Sequence, residues 1–257
     1  MGRSTYPVVE IFGPTLQGEG VLIGRQTHFV RLGGCDFRCH WCDTMYAVDP
    51  ALVKLNSVPM TSEEIGDELL GRCRLHDTRE PEPCRGHGPW VTISGGNPLI
   101  FDLRPLLHTL VKDLEVRVAI ETQGTICSTG ADALRANVSL LIVSPKPPSS
   151  GMPFDAQACA RILQYMPQDQ RIVKVVVFNS DDYEFAVQLR ELFPTDEFFL
   201  SLGTPRSYAE LPIHQIRHQL LEGAQKLADQ VLADPRMPRV GVLPQLHTLL
   251  WGSKRGV

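Results

Sequence analysis

Short apolar runs alternate with amphipathic stretches along most of this chain, and this alternation predicts its architecture. The runs that we interpret as strands are residues 26–32, 90–94, 116–121, 140–143, 172–178, 198–201 and 240–243. They are apolar almost throughout instead of alternating with polar residues. Such runs are typical of a parallel sheet that is buried on both faces.

The segments between the strands have helical spacing. Thr61 and Glu64 have the spacing of a capping box at the start of one helix, and further helices are predicted over residues 103–112 and 213–233. About six or seven strand–helix units are too few to close an eight-stranded barrel. The fold class that we expect is α/β, a partial (β/α) TIM-like barrel of about six strands, with functional side chains at the carboxyl ends of the strands.

Composition narrows the class of protein. The chain has 257 residues, 43% hydrophobic and 21% charged, so we expect a single domain over residues 1–257 with a sizeable core. The formal net charge of -4 argues against the basic footprint of a nucleic-acid-binding protein. We see no signal-peptide core and no apolar run of membrane-spanning length. Seven cysteines in such a chain favour a reducing compartment, so we expect a cytoplasmic protein without nucleic-acid or membrane partners.

Three of the cysteines form the most informative motif. Cys35, Cys39 and Cys42 stand at C-x3-C-x2-C spacing after Gly33-Gly34 and the first predicted strand. A closed zinc or iron–sulfur site uses four protein ligands, whereas three thiolates on a four-iron cluster leave one iron open. A zinc knuckle that lacks one ligand is the alternative. The motif resembles the signature of radical S-adenosylmethionine (SAM) enzymes, in which the open iron chelates the methionine part of SAM.

Polar or small residues close several of the other predicted strands. They are Ser94-Gly95-Gly96-Asn97, Glu121-Thr122, Ser144-Pro145-Lys146 and Ser201. Because parallel strands end at one edge of the sheet, we expect these residues to surround one pocket with the cysteines. The Gly95-Gly96 pair resembles the radical SAM glycine motif that receives the ammonium group of SAM. Asn97 stands where that motif commonly has Glu, and its carbonyl can accept a hydrogen bond but supplies no charge. A strand-ending turn is the alternative for the two glycines.

A polar stretch at about 72–89, rich in Pro, Gly and Arg, breaks the alternation, and we interpret it as a variable insertion. It contains two Cys-x2-His pairs, Cys73/His76 and Cys84/His87, which together would complete a tetrahedral zinc site. The alternative is an exposed loop with incidental Cys and His, in which Cys73 belongs to the apolar face of the preceding helix.

Segments outside the cysteine motif carry a more specific resemblance. These segments are residues 10–20 (EIFGPTLQGEG), 29–35 (FVRLGGC), 42–44 (CDT), 144–151 (SPKPPSSG) and 243–247 (LPQLH). Together they resemble the 7-carboxy-7-deazaguanine synthase family of radical SAM enzymes. The resemblance extends from residue 8 to the C-terminus, apart from the insertion, and LQGEG is more specific than the cysteines.

The resemblance implies a reaction, cofactors and partners. It implies a carbon–nitrogen lyase that converts 6-carboxy-5,6,7,8-tetrahydropterin to 7-carboxy-7-deazaguanine with loss of ammonia, on the route to queuosine-type 7-deazapurines. The adenosyl radical would take the hydrogen from C6 and the ring would then contract. The implied cofactors are a [4Fe–4S] cluster, SAM and Mg²⁺. The implied partners are a flavodoxin or ferredoxin electron donor and a second copy of the chain in a homodimer.

The resemblance also assigns roles to the residues that match the family's motifs. The cluster ligands would be Cys35, Cys39 and Cys42. The SAM contacts would be Trp41, Cys42, Asp43, Gly96, Glu121, Ser144, Pro145, Lys146 and Ser201. The substrate contacts would be Leu16, Gln17, Gly18, Glu19, Arg31, Ser94, Gln245, His247 and Val257. Thr44 would bind Mg²⁺ through its hydroxyl group, which is a hard oxygen donor.

Ordinary structural explanations exist for several of these residues when the family is set aside. Thr44 could cap a helix, and Glu19 could be a solvated loop acid. Arg31 lies in an apolar strand and needs a partner, either the substrate carboxylate or an internal salt bridge. Val257 could belong to a frayed terminus. For the whole chain, the alternatives are another radical SAM enzyme, such as a glycyl-radical activase, and a non-catalytic zinc-binding module.

Overall fold

The chain forms a mixed sheet with helices packed against it. The computed structural model describes residues 4–76, 89–252 and 254–257, without the side chains of residues 74–76, 206 and 209. In this part of the chain the strands are β1 (Thr5–Leu16), β2 (Gln26–Leu32), β3 (Val58–Thr61), β4 (Trp90–Gly95), β5 (Arg117–Thr122), β6 (Leu140–Val143), β7 (Arg171–Val177), β8 (Glu197–Leu202) and β9 (Val240–Leu243). The α-helices are α1 (Pro50–Asn56), α2 (Ser62–His76), α3 (Arg104–His108), α4 (Ala131–Asn137), α5 (Ala156–Leu163), α6 (Ser180–Leu192), α7 (Ile213–Ala233) and α8 (Leu246–Trp251).

All seven apolar runs of the sequence join the parallel part of the sheet. The order of the nine described strands is β3-β1-β2-β4-β5-β6-β7-β8-β9, and every neighbouring pair from β2 to β9 is parallel. Within the described residues, β3 and β9 remain the two open edges. The predicted fold class, an open relative of the (β/α) barrel, is confirmed, with seven parallel strands where about six were expected.

Two antiparallel strands were not predicted. β1 pairs antiparallel with both β2 and β3. Its pairing with β2 has register irregularities between Val8 and Glu10 and between Phe12 and Thr15, so the strand lacks the regular period of two that marks a strand in a sequence. β3 is a short edge strand and contains Pro59, which weakens the sequence signal further.

The predicted helices are present, and α2 extends into the stretch that the sequence predicts as a polar insertion. Thr61 and Glu64 form the expected capping box, in which each backbone N–H donates to the other side chain, at 2.7 and 3.2 Å. Residues 72–76 continue α2 and do not belong to the polar insertion that the sequence predicts at about 72–89. The helix expected over 103–112 is α3 followed directly by a π-helical turn at Thr109–Asp113. The rest of the insertion, residues 77–88, lies outside the described part of the chain.

The parallel strands contribute many of the buried apolar side chains of the hydrophobic core. One hydrophobic cluster includes buried residues from Tyr6 in β1 to Met237 before β9, and Val30, Ile93 and Ile120 are fully buried within it. No helix among the described residues is both long enough and apolar enough to span a membrane.

The C-terminal segment closes over the loop that follows β1. The N–H of Leu246, at the start of α8, donates to the carbonyl oxygen of Gly18 at 2.9 Å. The His247 ring lies directly against Gly18, because a Cβ added to Gly18 would come within 2.8 Å of its Cγ atom. Arg217 of α7 holds the other end of α8 through the carbonyl oxygens of Leu249 and Leu250, at 2.7 and 3.1 Å.

We expect Gly18→Ala to displace α8. The added methyl group would overlap the His247 ring, which lowers the free energy of unfolding by about 1–3 kcal/mol. Hydrogen exchange should become faster at the amides of residues 246–252. The matched control is Gly71→Ala in α2, where a Cβ meets no atom within 4 Å. Unchanged exchange in Gly18→Ala would show that α8 is not held by this contact.

Candidate active site

The three cysteines of the motif line one cavity at the carboxyl ends of the parallel strands. The cavity has a volume of about 720 Å³ and includes Cys35, Cys39 and Cys42, none of which forms a disulfide bond. Burial raises the pKa of the Cys39 thiol to about 11; Lys146 opposes this rise, and the neighbouring thiols Cys42 and Cys35 add to it. Burial also raises the pKa of Cys35. Burial therefore disfavours the thiolate forms of Cys35 and Cys39, which coordination to a metal would favour.

A close backbone contact fixes the cysteine loop, residues 33–44, against the end of β4. The N–H of Asn97 donates to the carbonyl oxygen of Gly34 at 2.8 Å, and the N–H of Gly96 donates to that of Leu32 at 3.1 Å. Gly34 has a φ of +111°, which favours glycine. A Cβ on Gly96 would lie 2.8 Å from the Cβ of Cys35 and even closer to the Gly34 carbonyl oxygen. The loop can approach β4 this closely only because position 96 has no side chain.

Asn97 supports the cysteine loop from inside the protein. Its Nδ2 donates to Asp36 in the loop at 2.9 Å, and its Oδ1 accepts from the Thr122 hydroxyl at 2.8 Å. Gln123 Nε2 and Thr125 Oγ1 each donate to the same Asp36 carboxylate at 2.6 Å. Asn97 is fully buried and is not one of the residues that line the cavity. The hydrogen bonds to Asp36 and Thr122 therefore account for an asparagine at position 97 without any contact to a ligand.

The other side of the loop is held through Trp41. Its Nε1 donates to Ser149 Oγ at 2.9 Å, and that hydroxyl donates to the fully buried Asp182 of α6 at 2.7 Å. The Trp41 ring packs on Phe178 with ring centroids 4.9 Å apart, and the Lys146 ammonium lies 5.8 Å from the Trp41 ring centroid. The segment after β6 and the start of α6 therefore fix the indole at the cavity wall.

The loop after β1 is braced by its own glutamine. Gln17 is buried, and its Oε1 accepts from the backbone N–H groups of Gly18 and Glu19 at 2.7 and 3.3 Å. Its Nε2 donates to Glu121 Oε1 at the end of β5, at 3.1 Å. The Gln17 side chain, which we expected at the substrate, is thus hydrogen-bonded to the loop and to Glu121.

Glu19 forms a buried ion pair with Lys174 of β7. Both side chains line the cavity, and Gln245 donates to the second carboxylate oxygen of Glu19. Burial alone would raise the pKa of Glu19, but Lys174 first and His247 second lower it to about 2. The ion pair likewise raises the pKa of Lys174 although its burial acts to lower it. The alternative of a solvated loop acid is therefore wrong for Glu19. We did not predict Lys174; a cation inside an otherwise apolar strand was its signal in the sequence.

Arg31 has the internal salt bridge that we considered from the sequence. Its Nε donates to Glu10 Oε1 at 2.6 Å, and its Nη1 lies 3.4 Å from Ser94 Oγ. Tyr46 and Arg255 donate to the same Glu10 carboxylate at 3.0 and 2.8 Å, and the Arg255 guanidinium stacks over the Tyr46 ring at 3.7 Å from its centroid. Burial opposes ionisation of Glu10, but Arg255 and Arg31 keep its pKa below the ordinary value.

Thr44 occupies the N-cap position of a short 3₁₀ turn, Met45–Ala47, but its side chain forms no capping hydrogen bond. The hydroxyl oxygen lies 3.6 Å from Cys42 Sγ, and Thr44 lines the cavity. The backbone carbonyl of Thr44 accepts from the Ala47 N–H at 2.8 Å. Helix capping by the side chain therefore does not explain this residue.

The structure brings most of the residues expected from the resemblance to this one cavity. Those that line it are Leu16, Gln17, Gly18, Glu19, Arg31, Cys35, Cys39, Trp41, Cys42, Asp43, Thr44, Ser94, Gly96, Glu121, Ser144, Lys146, Gln245, His247 and Val257. Pro145 and Ser201 are not among its lining residues. Ser201 is fully buried in β8, and its hydroxyl has no hydrogen-bond partner within the described residues.

The zinc site that we considered for the polar stretch falls mostly outside the described residues. Cys84, His87 and the side chain of His76 lie outside the described part of the chain. Cys73 faces the interior, with its Sγ 3.6 Å from Nε2 of His28 on β2. In the described ranges, no three His, Cys, Asp or Glu side chains are grouped so as to hold a single metal ion.

The lining of the cavity fits a metal cluster bound by three thiolates. Three thiols, with Cys39 buried and Cys35 and Cys42 partly exposed, would be its soft ligands, and Gly95 and Gly96 line the cavity beside them. Hard oxygen donors lie next to the thiols in Asp43 and Thr44. The arrangement can therefore accommodate both an iron–sulfur cluster and a polar cofactor at its open side.

Comparisons with known proteins identify the family. No protein-family model matches the chain. It is 40% identical to the 7-carboxy-7-deazaguanine synthase of Bacillus subtilis (strain 168), over 98% of both chains. It is 39% identical to that of Bacillus cereus, over 99% of this chain and 100% of the relative. The crystal structure of QueE from Escherichia coli has a similar fold, with a TM-score of 0.59 and 24% identity over 95% of each chain. Because relatives at this identity match almost the whole length, the chain belongs to the 7-carboxy-7-deazaguanine synthase family.

Proposed function

We propose that the chain catalyses the reaction for which its relatives are named. It forms 7-carboxy-7-deazaguanine from 6-carboxy-5,6,7,8-tetrahydropterin with loss of ammonia, as a carbon–nitrogen lyase in 7-deazapurine and queuosine-precursor biosynthesis. The observation that carries the proposal is the single cavity that contains both the three thiols and the charged residues of the LQGEG and C-terminal segments. The similarity over nearly the full length of the relatives supports the same substrate.

The proposed reaction uses a radical that the cofactors supply. When bound, a [4Fe–4S] cluster and SAM supply the adenosyl radical that abstracts the C6 hydrogen of the substrate. Cys35, Cys39 and Cys42 are the proposed cluster ligands. Trp41, fixed by Ser149, excludes water from this side of the cavity, which protects a reactive intermediate.

Two groups of residues divide the cavity between SAM and the pterin. The proposed SAM contacts are Trp41, Cys42, Asp43, Gly96, Glu121, Ser144 and Lys146. The proposed substrate contacts are Leu16, Gln17, Gly18, Glu19, Arg31, Ser94, Gln245, His247 and Val257. Pro145 and Ser201 are left out of the SAM set because they do not line the cavity.

Arg31 is suited to the substrate carboxylate. A guanidinium group has five N–H donors, and the contacts to Glu10 and Ser94 occupy only two of them. Glu10 holds the guanidinium plane in place through Nε, which leaves terminal N–H groups for a carboxylate oxygen. Arg31 can therefore keep its salt bridge and bind substrate at the same time.

The wider setting of the enzyme follows from the same proposal. A cluster of this kind needs a one-electron donor, for which a flavodoxin or ferredoxin is suited. The cytoplasm is the proposed location because its reducing conditions keep the cysteines available for the cluster. The homodimer is proposed from the family resemblance.

Cys39→Ala should abolish both cluster binding and turnover. Loss of one thiolate removes a cluster ligand, so iron content and 5'-deoxyadenosine formation should fall to background after anaerobic reconstitution with iron, sulfide, SAM and reductant. The control is Cys127→Ala, since Cys127 lies outside the cavity and packs against the hydrophobic core. The control should retain iron and activity.

The assay of the unchanged chain tests the substrate itself. With SAM, reductant and Mg²⁺, 6-carboxy-5,6,7,8-tetrahydropterin should disappear as 7-carboxy-7-deazaguanine and ammonia form. SAM cleavage without conversion of this pterin would contradict the proposal and favour another radical SAM activity, such as a glycyl-radical activase.

Thr44 is the proposed Mg²⁺ ligand, because it lines the cavity and its hydroxyl has no capping role. Thr44→Val keeps the shape but removes the oxygen donor, so the Mg²⁺ concentration for half-maximal rate should rise by about 10–100-fold. Thr44→Ser, which retains the hydroxyl, should behave like the unchanged enzyme. Identical Mg²⁺ dependence in the Val variant would exclude Thr44 as a ligand.

A further inference from the structure

Lys174 is a buried cation in the middle of the sheet, and the reaction described above gives it no role. It lies in β7 between the buried residues Val173 and Val175, and only 5% of it is exposed. Its side chain nevertheless reaches the cavity. Burying an unpaired ammonium group costs free energy, so a lysine at this position needs a partner of opposite charge.

The partner is Glu19, and the pair is held from both sides. The Lys174 ammonium contacts Oε2 of Glu19, while Gln245 donates to Oε1. The Thr204 hydroxyl in turn donates to Oε1 of Gln245, which orients that amide. The Glu19 carboxylate therefore has one fixed orientation before any substrate binds.

Charged groups on several elements determine the ionisation of Glu19. His247 of α8 acts with Lys174 to favour the carboxylate, against the effect of burial. Glu121 of β5 and Asp43 of the cysteine loop face Lys174 and favour its charged form. Without Lys174, Glu19 would be a buried carboxylate among other acids, and its pKa would move upwards.

An ionised and oriented Glu19 matches the hydrogen-bond donors on the pyrimidine edge of the pterin. A 2-amino-4-oxopyrimidine presents two neighbouring donors, the exocyclic amino group and the ring N3–H. A carboxylate accepts from both, whereas a neutral carboxyl group has one donor and mismatches the pair. The analogous 2,4-dioxo ring presents a carbonyl oxygen in place of the amino group, and this oxygen would face the carboxylate without a proton between them.

We propose that Lys174 is a positioning residue that holds Glu19 as an oriented anion, and that the pair thereby selects a 2-amino-4-oxo edge over a 2,4-dioxo edge. This proposal rests on the proposed function, because it takes Glu19 as the residue that meets the pterin. Lys174 acts through Glu19. A merely structural ion pair could be replaced by two neutral side chains without any change in ligand preference.

Equilibrium binding to the enzyme reconstituted with cluster and SAM tests the proposal without turnover. The two probes are 6-carboxypterin, which has the substrate's pyrimidine edge but no hydrogen at C6, and 6-carboxylumazine, which has the 2,4-dioxo edge. The unchanged enzyme should prefer 6-carboxypterin by on the order of 100-fold or more, because the dioxo ring leaves buried polar groups unpaired.

Lys174→Met should reduce this preference to within about 10-fold at pH 6. Its affinity for 6-carboxypterin, relative to the unchanged enzyme at the same pH, should increase as the pH is raised and Glu19 ionises. Lys174→Arg should restore most of the preference because it retains the cation. In Glu19→Gln/Lys174→Met, which buries no charge at this pair, the preference should be lost without any such pH dependence, since an amide matches the dioxo edge.

Arg171→Met is the matched control. Arg171 also lies in β7 and forms an ion pair, with Asp196 at 2.5 Å, but it does not line the cavity. This variant should keep the full preference. If Lys174→Met or the double variant also keeps it, Lys174 does not act in selection and the proposal is overturned. Failure of the unchanged enzyme to bind 6-carboxypterin would instead overturn the placement of the pterin beside Glu19, and with it the role of Lys174.

Discussion

The site depends on a backbone contact in which the cysteine loop touches the turn after β4. Gly34 accepts from the N–H of Asn97 at 2.8 Å, and Gly96 lies so close to Gly34 and Cys35 that a side chain at position 96 has no room. Main-chain atoms therefore set the distance between the loop and the sheet, and no choice of rotamer can change it. The hydrogen bonds that Asn97, Gln123 and Thr125 donate to Asp36 hold the same loop. As a result the three thiols point into a cavity whose floor is the rigid end of a parallel sheet, which is where this class of fold positions its chemistry.

The opposite wall of the cavity is built from ion pairs that join distant parts of the chain. Glu19 follows β1, Lys174 lies in β7 and Gln245 precedes α8, and they meet only when the C-terminal segment closes over the first loop. Glu10, Arg31 and Arg255 form a second such group. Buried charges such as those of Glu19 and Lys174 contribute little net stability, because desolvation offsets their attraction. Their value here is orientation: each places a carboxylate or guanidinium group at a fixed point of the cavity wall.

The sequence predicted the parallel strands to within one residue at each end, because near-continuous apolar runs are a strong local signal. It missed β1, whose irregular pairing disturbs the period of two, and β3, a short edge strand that contains proline. Motif spacing and the family resemblance predicted the cysteines and Glu19 as site residues. They did not predict Lys174 or the contact between Glu10 and Arg255. Those pairs depend on long-range packing between residues more than 150 positions apart, which no local pattern encodes. Asn97 shows the converse: its position in a motif left a contact with SAM open, while its hydrogen bonds to Asp36 and Thr122 give it a supporting role.

The most direct test of this account is the cluster content of Gly96→Ala. Position 96 does not require a positive φ, so alanine needs no change of backbone conformation there, and its methyl group would meet the cysteine loop. Iron and the charge-transfer absorbance near 400 nm would be measured after anaerobic reconstitution, with circular dichroism to verify the fold. We expect a folded protein that has lost most of its cluster, whereas Gly71→Ala retains it. A Gly96→Ala protein with full iron content and normal SAM cleavage would contradict the claim that the backbone contact positions the three thiols.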